Sequence, residues 1–140
     1  MVFYKGIKMI RIPKSIYDAI VEHAKKESPL ECCGILGGKE GVVEKAFELT
    51  NTEKSPVRFL MSPQEQLKVF EELEKESMEM IAIYHSHPHS TSFPSEIDVE
   101  MAFYPEVLSV IVSLKEWDNP IVMAFRIRKE TVFPEEMEVI

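Results

Sequence analysis

Tyr84-His85-Ser86-His87-Pro88-His89-Ser90-Thr91-Ser92-Phe93-Pro94-Ser95-Glu96-Ile97-Asp98 carries an apolar run, Met80 to Tyr84, into a short polar loop and then a helix start. In a strand, side chains two apart point to the same side. His85 and His87 can therefore reach one point in space, while Ser86 faces away. Pro88 has no N–H to give to a ladder and stops the strand. Ser95 reads as a helix N-cap, and Asp98 completes a Ser-x-x-Asp variant of the capping box. A strand end, a loop and a capped first turn can thus converge on one ion. Two neutral imidazoles and a carboxylate suit Zn2+ and leave a fourth position for water, which marks a catalytic ion more than a structural one. His85, His87 and Asp98 are the expected ligands.

Upstream, Glu31-Cys32-Cys33-Gly34-Ile35-Leu36-Gly37-Gly38 sets a glutamate before a Cys-Gly at an apolar strand start. With it, the pattern His-x-His-Pro-x5-Pro-Ser-x2-Asp resembles the signature of the JAMM (MPN+) metalloprotease domain. The downstream motif fixes six positions within 14 residues, twice as many as a lone His-Glu-x-x-His fixes. The resemblance covers essentially the whole chain and is to the small, single-domain prokaryotic and archaeal members. It implies a curved, mixed β-sheet between helices, distantly similar in shape to cytidine deaminases. It also implies Glu31 as the catalytic carboxylate and Ser95 as the donor to the oxyanion. The Ser95 hydroxyl has a second possible use, as the helix cap, and the sequence does not separate the two.

The rest of the composition agrees with a soluble globular chain. One domain, 1–140, is expected from 140 residues, with 45% hydrophobic and 29% charged positions. A net charge of −8 argues against nucleic acid as a main partner. No apolar run reaches the ~20 residues of a membrane helix. Met1 to Arg11 lacks the apolar core of a signal peptide, so a cytoplasmic location is expected. Adjacent Cys32 and Cys33 do not fit disulfide geometry and read as two buried small side chains facing opposite ways. Cys33 shares the face of Glu31, which leaves a place near the site open to it.

Taken in order, Lys8 to Ile12 alternates and reads as a strand ended by Pro13. Ser15 to Asp18 has the form of a capping box, opening a helix to about Glu27. His23 is expected on that helix's surface. Cys32–Leu36 and Val42–Leu49 read as strands joined by a hairpin at Gly37–Gly41. Thr50 to Val57 is polar and aperiodic, hence a surface loop, and Arg58 to Met61 has the length of a short strand. Ser62-Pro63-Gln64-Glu65 starts a second helix, with Leu67, Val69, Phe70 and Leu73 on its apolar face. Met80–His87 is the ligand strand, and the helix after Ser95 is expected to end near Tyr104. Val107–Leu114 is a continuous apolar strand and Ile121–Arg128 its neighbour. Thr131 to Phe133 and Glu138 to Ile140, flanking Pro134, read as short pieces adding an edge. Strands alternating with helices give the α/β class, a mixed sheet flanked by helices.

Zinc lowers the pKa of a bound water toward ~7. A nearby carboxylate that is not a ligand can take its proton and return it to a leaving amine. The expected reaction is hydrolysis of an amide or isopeptide bond. The resemblance implies conjugates of ubiquitin or a ubiquitin-like modifier as substrate. A second reading is a peptidase acting on the Gly-Gly tail of a ubiquitin-fold sulfur-carrier protein. A third is a non-catalytic MPN scaffold, against which stand the three ligands and the glutamate. A zinc base deaminase needs His-x-Glu and Pro-Cys-x-x-Cys, and neither is here. Exposed strand edges and eight methionines leave a homodimer open.

Overall fold

A computed structural model describes residues 9–140. Lys8, where the first strand was expected to begin, and the stretch before it lie outside the described residues. The elements are β1 (Met9–Ile12), α1 (Lys14–Glu27), β2 (Cys33–Lys39), β3 (Val42–Leu49), α2 (Pro63–Lys75), β4 (Glu79–His87), α3 (Glu96–Glu100), β5 (Leu108–Ser113), β6 (Ile121–Arg128) and β7 (Thr131–Val139). This is the expected α/β arrangement, a mixed sheet with helices. The sheet, however, closes on itself in the order β1-β3-β2-β4-β5-β6-β7, with β7 returning to β1. Closure runs through β7, which is one strand and not two pieces. Thr131 to Glu135 pairs antiparallel with β6, and Glu136 to Val139 pairs parallel with β1. Pro134 falls where only β6 lies alongside among the described residues, a place that tolerates its missing donor.

Strand parity sorts the side chains of β2 and β4 into two cores. Leu36, Ala82 and Tyr84 face α1, with Ile20 and Ala24. Cys33, Ile35 and Ile83 face α2, with Val69 and Leu73. The two cysteines are free and buried and do face opposite cores. His85 and His87 continue the parity of Ile83, so the imidazoles emerge on the α2 side of the sheet.

Several local readings need correction. α1 begins at Lys14 with no side-chain cap, so the Ser15 box does not form, and Asp18 instead pairs with Lys14 at 2.6 Å. His23 is buried, with Nδ1 2.7 Å from the Tyr84 hydroxyl. The face of α1 that covers the sheet is wider than its aliphatic stripe, and Tyr84 supplies the partner an inward imidazole needs. Burial lowers its pKa, against the pull of Glu48 and Glu27. On α2, Ser62 caps as expected, accepting from the Glu65 amide. The Glu65 carboxylate instead takes the amide and hydroxyl of Thr50, at 2.6 and 2.9 Å. Leu67 lies outside the apolar face and is exposed. Arg58 to Met61 forms no strand, only a bridge between Met61 and Asn51, and α3 stops at Glu100.

Gly34 sits opposite Tyr84 in the β2–β4 ladder. A Cβ at this position would run into the Tyr84 ring and the Phe47 carbonyl oxygen. Gly34→Ala is expected to destabilise the protein by about 1–3 kcal/mol in urea unfolding. An unchanged midpoint would mean that the Tyr84 ring does not cover this backbone.

Candidate metal centre

His85 and His87 close β4, and Asp98 lies in the first turn of α3. His85, His87 and Asp98 are buried and each offers a ligand atom within 4.8 Å of the others. The His85 and His87 Nε2 atoms are 3.2 Å apart. Asp98 Oδ1 lies 3.1 Å from His85 Nε2, and Oδ2 lies 2.9 Å from His87 Nε2. Two neighbours hold these groups in place. Ser95 and Asp98 form the expected capping box: the Asp98 amide donates to Ser95 Oγ at 3.1 Å, and the Ser95 amide donates to Asp98 Oδ2 at 2.9 Å. His87 Nδ1 donates to the Thr91 carbonyl at 2.6 Å.

The Thr91 bond decides the chemistry of the site. A ring whose Nδ1 carries the hydrogen presents a lone pair at Nε2 when neutral. That lone pair faces a carboxylate oxygen and a second imidazole. Such a set of donors repels itself unless a proton or a cation stands among them. The residues therefore fit a divalent cation of the zinc type. The titration directions say the same of the metal-free protein. Burial alone would raise Asp98, but hydrogen bonds from His85 and His87 hold it far below the usual carboxylate range. Burial pulls His87 down, yet Asp98 and the Thr91 carbonyl raise it overall. His85 is lowered, burial outweighing Asp98.

Glu31 arrives from the chain entering β2. Cys33 pairs with His85, so counting back along the antiparallel register puts Glu31 opposite His87. Ser86, on the other parity, pins this junction: its amide donates to the Cys32 carbonyl, and its hydroxyl accepts from the Cys32 amide at 2.8 Å. Glu31 is 2% exposed, and its Oε1 has no hydrogen-bond partner among the described residues. Burial, then the charge of Asp98, raises its pKa to about 8 against the opposing effect of His87. A buried carboxylate with an idle oxygen, close enough to feel Asp98 and His87, is placed to exchange a proton with a solvent molecule.

Two other candidates stay out of the cluster. His89 is exposed in the loop. Cys33 packs on the α2 side, its Sγ 3.7 Å from the Leu49 carbonyl, and burial pushes both thiols up, Cys32 to about 12. Sequence reasoning missed Thr91 and Phe59. The Phe59 ring stacks on His85 at 4.6 Å between centroids, inclined by 28°. Only its place in a run read as a short strand pointed to it. A cavity of about 250 Å³ opens beside His85 and Asp98, walled by Phe59, Met61, Ile83, Tyr104 and Val107. Among the described residues no helix is long and apolar enough to cross a membrane.

Residues 13–128 match the family described as prokaryotic homologs of the JAB domain. The CysO-cysteine peptidase of Mycobacterium tuberculosis is 33% identical over 143 residues, covering 100% of this chain and 98% of its own. The desampylase of Pyrococcus furiosus is 39% identical over 101 residues, 71% of either chain. A solution structure from Desulfitobacterium hafniense superposes with a TM-score of 0.87 at 35% identity, covering 94% of this chain and 93% of that one.

The raised Glu31 pKa makes its own contribution to the pH dependence of the metal-free fold. The folded state keeps this proton up to about pH 8, while an unfolded glutamate releases it near 4.5. Between those values the folded state binds more protons, so stability falls as pH rises. In chelator-treated protein, Glu31→Gln is expected to remove this loss, on the order of a few kcal/mol at pH 9, and to change little at pH 4. Parallel thermal melts of the two proteins across pH 4–9 measure it, and identical curves would contradict the burial of a proton on Glu31.

Proposed function

This chain belongs to the family of prokaryotic homologs of the JAB domain, and we propose that it is a zinc-dependent peptidase acting on conjugates of ubiquitin-like or sulfur-carrier proteins. The observation that carries the reading is the buried His85–His87–Asp98 group beside a buried carboxylate, Glu31, with one oxygen unpartnered. In this reading His85, His87 and Asp98 hold Zn2+, which acts as a Lewis acid and makes a water more acidic. Glu31 takes a proton from the attacking water and hands it to the leaving amine. Its depth supports that role, since a carboxylate with a pKa raised toward neutrality is matched to both transfers. Ser95 caps α3 through its oxygen as an acceptor, so the hydroxyl proton is left to donate to an oxyanion. The two uses of Ser95 are therefore compatible. The apolar cavity gives an extended tail a dry surface beside the reacting centre.

The residues 1–140 act as one catalytic unit in this reading, in the cytoplasm. Between lysine-linked conjugates and a carboxy-terminally extended carrier, the names of the relatives support both substrate types. A non-catalytic scaffold has no use for the buried, unpartnered Glu31. The discriminating experiment incubates the purified protein with lysine-linked and carboxy-terminally extended ubiquitin-fold substrates, with and without a chelator. Chelator-sensitive cleavage of either substrate is expected, and none with zinc-loaded protein would overturn the proposal.

Glu31→Gln is expected to keep stoichiometric zinc while turnover falls about 10²–10⁴-fold. Zinc loss in that variant would make Glu31 a ligand. His87→Ala and Asp98→Ala are expected to lose metal affinity, measured by competition with a chromogenic chelator. Full zinc retention in both variants would remove the ligand assignment.

A further inference from the structure

Thr50 to Val57 is the segment whose sequence says least, and its first turn contains Asn51, a half-buried residue. The Asn51 amide makes four hydrogen bonds. Nδ2 donates to the Glu31 carbonyl and to the Arg58 carbonyl, each at 3.0 Å. Oδ1 accepts from the Glu53 amide at 3.0 Å and the Leu60 amide at 3.1 Å. Two carbonyls on one side and two amides on the other fix which way the side chain points. Asparagine alone puts two donors and two acceptors on so short a stem.

The four partners are not arbitrary. One is the backbone of Glu31, whose own amide donates to the Ser55 carbonyl at 2.8 Å in the same loop. Two others, Arg58 and Leu60, are the residues on either side of Phe59. The ring of Phe59 stacks on His85 and walls the cavity. A single side chain therefore ties the chain that carries the buried carboxylate to the aromatic plate against an imidazole of the metal centre.

We propose that Asn51 is a positioning residue, which holds Glu31 and Phe59 in register with each other through the 52–60 loop. It touches neither the ion site nor the cavity and acts through the two residues it fixes. This deepens the peptidase reading and rests on it for its kinetic consequence, but not for its structural one. A displacement of about 1 Å in a proton-transferring group is enough to cost on the order of 10²-fold in rate.

Three variants test it. Asn51→Ala removes all four bonds. Asn51→Asp keeps the acceptor for Glu53 and Leu60 and removes the donor to Glu31 and Arg58, and it carries the test if the alanine variant fails to fold. Thr52→Ala removes a hydroxyl bond to the Leu60 carbonyl within the same loop and leaves the Glu31 side untouched. In zinc-loaded protein held well below its melting temperature, both Asn51 variants are expected to lose about 10-fold or more in kcat with KM within about threefold. Thr52→Ala is expected to stay within about twofold in both. In metal-free protein, amide hydrogen exchange at Glu31 is expected to speed up about 10-fold or more in both Asn51 variants and not in Thr52→Ala. An unchanged Glu31 amide or kcat in Asn51→Asp, or an equal kcat loss in Thr52→Ala, would overturn the proposal. If the wild-type protein cleaves no conjugate, the functional reading fails, and the exchange measurement still decides the coupling on its own.

Discussion

Two imidazoles and a carboxylate are held face to face in a buried spot, and their lone pairs oppose one another unless a proton or a cation stands among them. The Thr91 carbonyl takes the Nδ1 hydrogen of His87, so the neutral ring presents a bare Nε2 toward Asp98 Oδ2 at 2.9 Å and toward His85 Nε2 at 3.2 Å. Such an arrangement is costly in a low-dielectric interior unless positive charge fills it. It is worth building only if something positive is meant to sit there. Most features around it serve to keep the three groups from turning apart.

Each group is locked by a different device. The imidazoles hang on the end of β4, which β2 and β5 flank in register, so neither strand end can slide without moving every side chain to the wrong face. The carboxylate is fixed by a reciprocal capping box, which satisfies the helix amides and spends one lone pair of Oδ2 on the Ser95 amide. Glu31 is fixed through backbone alone, by Ser86 on one side and by Asn51 and Ser55 on the other. Its side chain can then stay unpaired. A carboxylate anchored by its own hydrogen bonds would be a weaker proton acceptor, because those bonds favour its charged form.

The cavity and the candidate metal centre share a wall. Phe59 and His85 stack, and Ile83 lies two residues before His85 on the same side of β4. Apolar walls beside His85 and Asp98 lower the local dielectric, which strengthens any charge interaction made there. The high pKa of Glu31 has the same kind of origin, since its first cause is loss of water and not a neighbouring charge.

The convergence of His85, His87 and Asp98 was legible in the sequence because it depends on short-range rules. Parity on a strand aims His85 and His87 together, Pro88 ends the ladder, and Ser95 with Asp98 starts a helix. Each follows from covalent geometry or from local hydrogen bonding. β1 to β6 and the two long helices were legible for the same reason, as their periods are local. The closure of the sheet through β7, the burial of His23 on Tyr84, the Thr91 and Phe59 contacts and the four bonds of Asn51 were not. Those are pairings between residues distant in sequence or in segments without a period. Only the packed chain decides which carbonyl an asparagine amide meets, because a loop has many conformations of similar local energy and the neighbours that choose among them come from elsewhere in the fold.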